Sequence, residues 1–509
     1  MAKQYEEQLA ELIMGGKSNP LMTDGYKPSM AQAGFPLRPE TFYFTCRKGD
    51  SLYIPFDLKK VVRAFLPKRL PTLKEQGFLD THGYGFNPAM EAALLGDVKI
   101  WCAPEGSWVL PKEPILTVTG PSFLVSWLEP LTIMLNFPLQ IATAFMNQDE
   151  RIFTEYTPSC ENEREIVLLM QELCANDLFK YRKITTEDPA LYQSIVDNNG
   201  KAVKTALGGE IDRAFEVGMR AATCMQQHRL ALQALKKVGV SKTSNMYLAY
   251  ELYMVPVGTT GHEHQMRWSA VTDGGDKAGF KAIRDMRQEP PSYLFDTIDP
   301  MKVGLPTALQ VMNEDPNRAC SMRFDSGDQD EQFKALLNGC VAENEHGDAY
   351  YRLTPTTIFE DGYTAEKTAK NEAFCDQFDW PRERRLYGYG GYWVAMDVMN
   401  PYGRNNVSAI YKLTMTGGTA VRKRSGSPGK DSLPGNPVIW RKRTGSPKSL
   451  PSSITAQADE PISTHYGMIG APGTLVSPFV TETEPSEGTK QLMQQAAAMW
   501  KREMEKEIP

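Results

Sequence analysis

Ile211–Leu235 reads IDRAFEVGMRAATCMQQHRLALQAL, and its period decides how the middle of the chain is read. Apolar residues recur every three or four positions, the mark of a helix with one buried face. Four short apolar runs of strand composition follow: MVPVGTT (254–260), CSMRFDS (320–326), TTIFEDG (356–362) and RLYGYGG (385–391). Helix alternating with strand over residues 205–399 predicts parallel strands with crossover helices, and from these an α/β barrel. Chemistry in such a fold gathers at the C-terminal strand ends. HEH (262–264), DSGD (325–328), EDG (360–362) and GYGG (388–391) all fall there.

Outward from this core, residues 41–120 carry short apolar runs broken by Pro and Gly, such as TFYFTCRK, VKIWCAPEGSWVL and EPILTVTGP, which read as strands and turns. The run from Ser122 to Phe145 is the most apolar and reads as a buried helix pair broken at Pro138. Residues 146–204 alternate acidic and basic positions and read as a solvent-facing helical insertion. The tail holds a basic, turn-like near-repeat, RKRSGSPGKDSLPG at 422–435 and RKRTGSPKSLPSS at 441–453, before a helix from Thr489 to about Lys506.

The chain has 509 residues, 41% hydrophobic and 23% charged, as in ordinary globular proteins. A net charge of −6 argues against a nucleic-acid partner but leaves room for a local basic pocket. The eight cysteines form no CxxC pair, which fits reduced thiols. The N-terminal MAKQYEEQLAELIMGG reads as a short amphipathic helix ended by glycines, without the apolar core of a signal peptide. No stretch offers about 18 uninterrupted apolar residues, so a membrane partner is not expected. The expected compartment is cytoplasmic.

Several stretches are candidates for chemistry. LMTDGYKPSM (21–30) reads first as a surface turn, with Tyr26 as an aromatic face for a flat ligand. Arg47 and Lys48 end a strand, where paired cations suit a phosphate. MRFDSGDQ sets Arg323, Asp325 and Asp328 around a turn. Its carboxylates suit ribose hydroxyls or hydrated Mg²⁺, against the alternative of a helix cap. Gly362, Gly390 and Gly391 let backbone approach a phosphate closely. In an extended GTTGHEH, His262 and His264 share one face, a spacing open to metal ligation, to one functional histidine, or to structure alone.

Taken together, TDGYK, TFYFTCRK, EVGMR, TSNM, GTTGHE, RFDSGD and SGSPGKDSLPGNPVIWR resemble, in order and spacing from about residue 21 to 441, the nicotinate phosphoribosyltransferases. The resemblance excepts residues 146–204. It implies an irregular α/β barrel packed on a split α/β sandwich domain. The implied boundaries are 1–145 (N-terminal α/β domain), 146–204 (insertion), 205–399 (barrel) and 400–509 (the segment completing the split domain). It also implies a homodimer with shared sites that joins nicotinate to phosphoribosyl pyrophosphate, with ATP as co-substrate and Mg²⁺ as cofactor.

By that resemblance His262 is the histidine transiently phosphorylated by ATP, and Asp325 the acid beside the ribose and pyridine. Tyr26 stacks on the pyridine from the neighbouring subunit, while Arg220 and Arg323 line the substrate pockets. Arg47 and Lys48 meet the pyrophosphate, and Gly362, Gly390 and Gly391 cradle the 5′-phosphate. No residue is assigned to a metal, and His264 is an incidental neighbour. Two departures stand out. VGMRA (217–221) lacks the family's Phe and second Arg, and Ser244 stands where the nicotinamide enzymes carry Asp. A serine hydroxyl can donate to a carboxylate, which favours nicotinate over the sister nicotinamide activity. A metal-dependent hydrolase built on His262 and His264 is the remaining alternative.

Overall fold

The computed structural model describes residues 5–272, 275–343, 345–423, 431–476 and 480–505. Its centre is a seven-stranded sheet in the order Val255–Pro256, Lys242–Thr243, Ala214–Glu216, Arg385–Tyr389, Thr356–Phe359, Ser321–Phe324, Ser292–Leu294. Every neighbouring pair is parallel. The first strand in sequence, Ala214–Glu216, pairs with the last, Arg385–Tyr389, as in a barrel. Val255–Pro256 and Ser292–Leu294, consecutive in sequence, are the two edges, so the ring is open at one seam. The helices His262–Val271 and Gly275–Met286 lie in the connection across that seam.

Two readings of the barrel are corrected. Ile211–Leu235 is not helical throughout: Ala214–Glu216 is a buried strand, a short turn spans Met219–Ala221, and the helix begins only at Met225. A three-residue strand buried on all sides has no room to display alternation, so the helical period masks it. Likewise GTTGHEH is not an extended segment carrying both histidines on one face, because His262 opens a helix. At about 100° per residue, His264 turns away from His262.

A second sheet packs beside the barrel. Pro39–Cys46 pairs antiparallel with Leu116–Pro121 on one side and with Ala409–Thr416 on the other, so both ends of the chain build it. Ser122–Met146 forms three short helices that turn at Leu128 and Leu135, not at Pro138. Pro138 sits in the first turn of Asn136–Met146, where its missing N–H breaks no helical bond. This run is long and apolar enough to cross a membrane by composition, but it is wholly buried and forms the core between the layers.

Residues 146–204 are helical but do not simply face solvent. Ile166, Val167, Met170, Tyr192, Val196 and Val203 of Glu161–Cys174 and Pro189–Ala206 are buried. Their acidic and basic residues occupy only the outer face of a layer that contributes to the core. In the tail, Pro437–Lys442, Ser453–Gln457, Tyr466–Met468 and Thr483–Pro485 form a further sheet. The two near-repeats differ in role. The second supplies the hairpin connection between Pro437–Lys442 and Ser453–Gln457, while residues 424–430 of the first lie outside the described residues.

Candidate active site

The barrel mouth and the split sheet enclose a cleft of about 1590 Å³. The loops after the barrel strands supply Arg220, His262, Asp296, Asp325 and the glycines Gly362, Gly390 and Gly391. The facing domain supplies Tyr26, Lys27, Arg47, Glu129, Arg404, Lys412 and Lys423. The walls are held in contact by two glycines: a Cβ on Gly25 would stand 2.2 Å from the Val257 oxygen, and one on Gly258 2.2 Å from the Gly25 carbonyl carbon. Any side chain there would force Tyr26 off the barrel. Gly362 has φ +67° beside Asp361 at +72°, a sharp left-handed turn that exposes backbone to the cleft.

His262 is the junction of the cleft. Its Nδ1 lies 3.1 Å from Thr297 Oγ1, and its Nε2 lies 3.1 Å from Asp325 Oδ2 and 2.7 Å from Lys423 Nζ. Burial lowers its pKa, and the Lys423 ammonium lowers it further against the opposing pull of Asp296 and Asp325. The ring is therefore held as a neutral imidazole. Burial alone would raise the Asp325 carboxyl, but Arg323, His262 and Lys423 together outweigh it and hold it well below the usual carboxylate range.

DSGD divides between two roles. Asp325 faces His262, while Asp328 caps the helix Gln329–Cys340 by accepting from Glu331 N at 3.1 Å. Arg323 lines the cleft, yet its fork is engaged by protein groups: Thr259 Oγ1 at 2.9 Å, the Thr260 carbonyl at 2.7 Å, and Asp325 Oδ1 at 2.8 Å. It braces the turn before His262 against the Asp325 strand. Arg220 is freer. Its guanidinium carbon lies 5.4 Å from the Tyr26 ring centroid, with Nε 3.4 Å from Asp24 Oδ2.

Four expectations are corrected here. LMTDGYKPSM is not a surface turn: Asp24, Tyr26 and Lys27 are buried, with Lys27 Nζ 3.0 Å from Glu263 and the Tyr26 hydroxyl donating to Glu129. Tyr26 also reaches the cleft of its own chain, because the Asp24–Asn245 bridge ties its helix to the barrel; no neighbouring subunit is needed to bring it there. Ser244 is buried outside the cleft lining and donates to Asp24 Oδ1 at 2.7 Å, so its hydroxyl is engaged away from any ligand. Lys48 is exposed beyond the strand end, whereas Arg47 faces the cleft with its Nη2 3.1 Å from Ser408 Oγ.

His264 is fully buried, bonds the Gly279 carbonyl at 2.9 Å, and has its pKa pushed down to about 3 by burial. It packs structurally, which removes the paired-histidine metal site and the hydrolase built on it. The donors that do converge are His262, Asp296 and Asp325, within 4.8 Å of one another. Asp296 Oδ1 is buried without a hydrogen-bond partner. An orphaned carboxylate oxygen beside Asp325 fits an oxygen-seeking cation such as Mg²⁺, with the imidazole left out.

Sequence reasoning missed Asp296, Lys412, Arg404 and Lys423. Asp296 follows the apolar SYLF and obeys the same strand-end pattern as the motifs singled out. Lys423 stood in view within the basic near-repeat, but only the fold brings it to His262. Burial lowers the Lys412 ammonium to about 8 despite Glu129, with Lys423, Arg220 and Lys27 adding repulsion. A cluster of cations so crowded is poised for a multiply charged anion.

A parallel barrel opened at one seam and faced by a sheet from both chain ends, with a cation-lined cleft between them, is the fold of the type II phosphoribosyltransferases. Among solved structures, nicotinate phosphoribosyltransferase from Porphyromonas gingivalis superposes with a TM-score of 0.57 at 18% identity, covering 82% of this chain and 96% of that one. The Vibrio cholerae nicotinate phosphoribosyltransferase gives 0.57 at 16% identity, covering 83% and 92%. In sequence the chain is 23% identical to the nicotinate phosphoribosyltransferase of Bos taurus over 87% of its own length and 80% of the relative's. No protein-family model matches it.

Proposed function

We propose that the chain is a nicotinate phosphoribosyltransferase, making nicotinate mononucleotide from nicotinate and phosphoribosyl pyrophosphate with hydrolysis of ATP through a phosphohistidine at His262. The observation that carries this reading is the neutral His262 at the barrel seam, with Lys423 at 2.7 Å and Asp325 at 3.1 Å, in a cation-lined cleft. The full-length likeness to nicotinate enzymes supports the substrate.

In the transfer step the pyridine nitrogen bonds to the anomeric carbon as the bond from that carbon to the pyrophosphate oxygen breaks. Positive charge grows on the ribose and negative charge on the leaving group. Arg47, Arg404 and Lys412 would meet the pyrophosphate, and the backbone at Gly362, Gly390 and Gly391 would hold the 5′-phosphate. Tyr26, fixed by Glu129, offers a flat face for the ring, and Arg220 beside it offers the cation for the ring carboxylate. That pairing, rather than Ser244, supports the acid over the amide. Asp296 and Asp325 would hold Mg²⁺, which when bound supplies charge for the phosphate oxygens.

For the ATP half of the reaction, the Lys423 ammonium donates to Nε2, which places the ring proton on Nδ1 toward Thr297. The Nε2 lone pair is then the atom that takes the γ-phosphoryl group, and Lys423 remains beside it to neutralise the charge. The test is product analysis by mass spectrometry after incubation with phosphoribosyl pyrophosphate, Mg²⁺, ATP and either nicotinate or nicotinamide. Nicotinate mononucleotide with ADP release is expected. Turnover of nicotinamide alone would replace this reading with the sister activity.

A further inference from the structure

The last helix, Glu487–Glu505, reaches the cleft through Trp500 and Met504. The Trp500 indole is fully buried and its Nε1 donates to the Arg422 carbonyl at 3.0 Å. The next residue is Lys423, whose ammonium lies 2.7 Å from His262 Nε2 and 3.6 Å from Asp296 Oδ2. Residues 431–432 clamp the same dipeptide from the other side: Asp431 pairs with the Arg422 guanidinium, and the Lys423 amide donates to Ser432 Oγ at 3.0 Å.

A lysine side chain has four rotatable bonds, so its ammonium is aimed only if the backbone carrying it is fixed. Trp500 fixes that backbone one residue away, from a helix remote in sequence from every other part of the site. We propose that Trp500 is a positioning residue: by holding the Arg422 carbonyl, the C-terminal helix aims the Lys423 ammonium at His262 Nε2. The helix is thus a working wall of the site as well as a packed end of the chain. The consequence for turnover rests on the phosphoryl-carrier reading of His262; the consequence for the His262 ring does not.

The full-length protein, labelled with ¹⁵N-histidine, tests this in W500F, K423A and the double variant. The His262 ring signals are identified by their loss in H262A. W500F is expected to move the Nε2 resonance in the direction K423A moves it, and the double variant to match K423A alone, since the indole acts only through the ammonium. In the ATP-dependent reaction W500F is expected to lower kcat about tenfold while the KM for nicotinate stays within about twofold, again without effect in the K423A background. An Nε2 resonance unmoved by W500F, or losses that multiply in the double variant, would overturn the proposal. Should W500F not fold, benzothienylalanine at position 500 keeps the shape and removes only the N–H donor, and the same two outcomes decide. Ring shifts as expected in a protein that never turns over nicotinate would leave the positioning role standing and remove the proposed function.

Discussion

Position 412 carries an ammonium whose pKa burial brings down to about 8. A cation that loses its proton near pH 8 stops attracting anions above it, so affinity for phosphoribosyl pyrophosphate is present below pH 8 and declines as pH rises through it. The pH profile of kcat/KM, which reports the free enzyme, is expected to show this fall. Lys412→Met should abolish that limb and raise the KM for phosphoribosyl pyrophosphate about tenfold at pH 7. An unchanged basic limb in Lys412→Met would remove Lys412 from the anion site. At this scale the sequence was legible where chemistry and strand ends coincide, as at His262, Asp325 and Arg220. Ser244 and Lys48 misled because position in a motif does not say whether a side chain turns toward the cleft or toward Asp24 or solvent.

The helix His262–Val271 sets the imidazole, and its anchor lies one turn further on. Arg267 forks onto Glu40 with contacts of 2.6 and 2.8 Å, and Glu40 also accepts from Thr416 and Ser122 at 2.8 and 2.9 Å. Both partners are buried, so the pair joins the barrel seam to the split sheet in a dry environment. Removing one charge leaves the other uncompensated. Glu40→Gln is therefore expected to cost about 3 kcal/mol of stability, read as a lower urea midpoint with unchanged slope. A midpoint equal to wild type would show that the helix is held by other contacts. The long periodic helices and apolar strands of the barrel were readable from pattern. Ala214–Glu216 and the helix at His262 were not, because a three-residue strand and a helix start without a side-chain cap leave almost no local signal.

Across the whole molecule, the cleft joins residues from both sides of the barrel sequence. Tyr26 and Arg47 come from before it, and Lys412 and Lys423 from after it. The alternation at 205–399 announced the barrel, and the charged strand ends announced half of the cleft. The other half depends on Pro39–Cys46 meeting Ala409–Thr416 about 370 residues away, a pairing that no local pattern encodes. The same long-range closure is what sets Lys423 against His262. The most direct measurement of the account is therefore chemical mapping of the phosphoryl group. Full-length protein incubated with γ-labelled ATP should carry an acid-labile label on the peptide containing His262, lost on adding nicotinate and phosphoribosyl pyrophosphate and missing in His262→Ala. A label that persists in His262→Ala, or none in a protein that hydrolyses ATP during transfer, would contradict it.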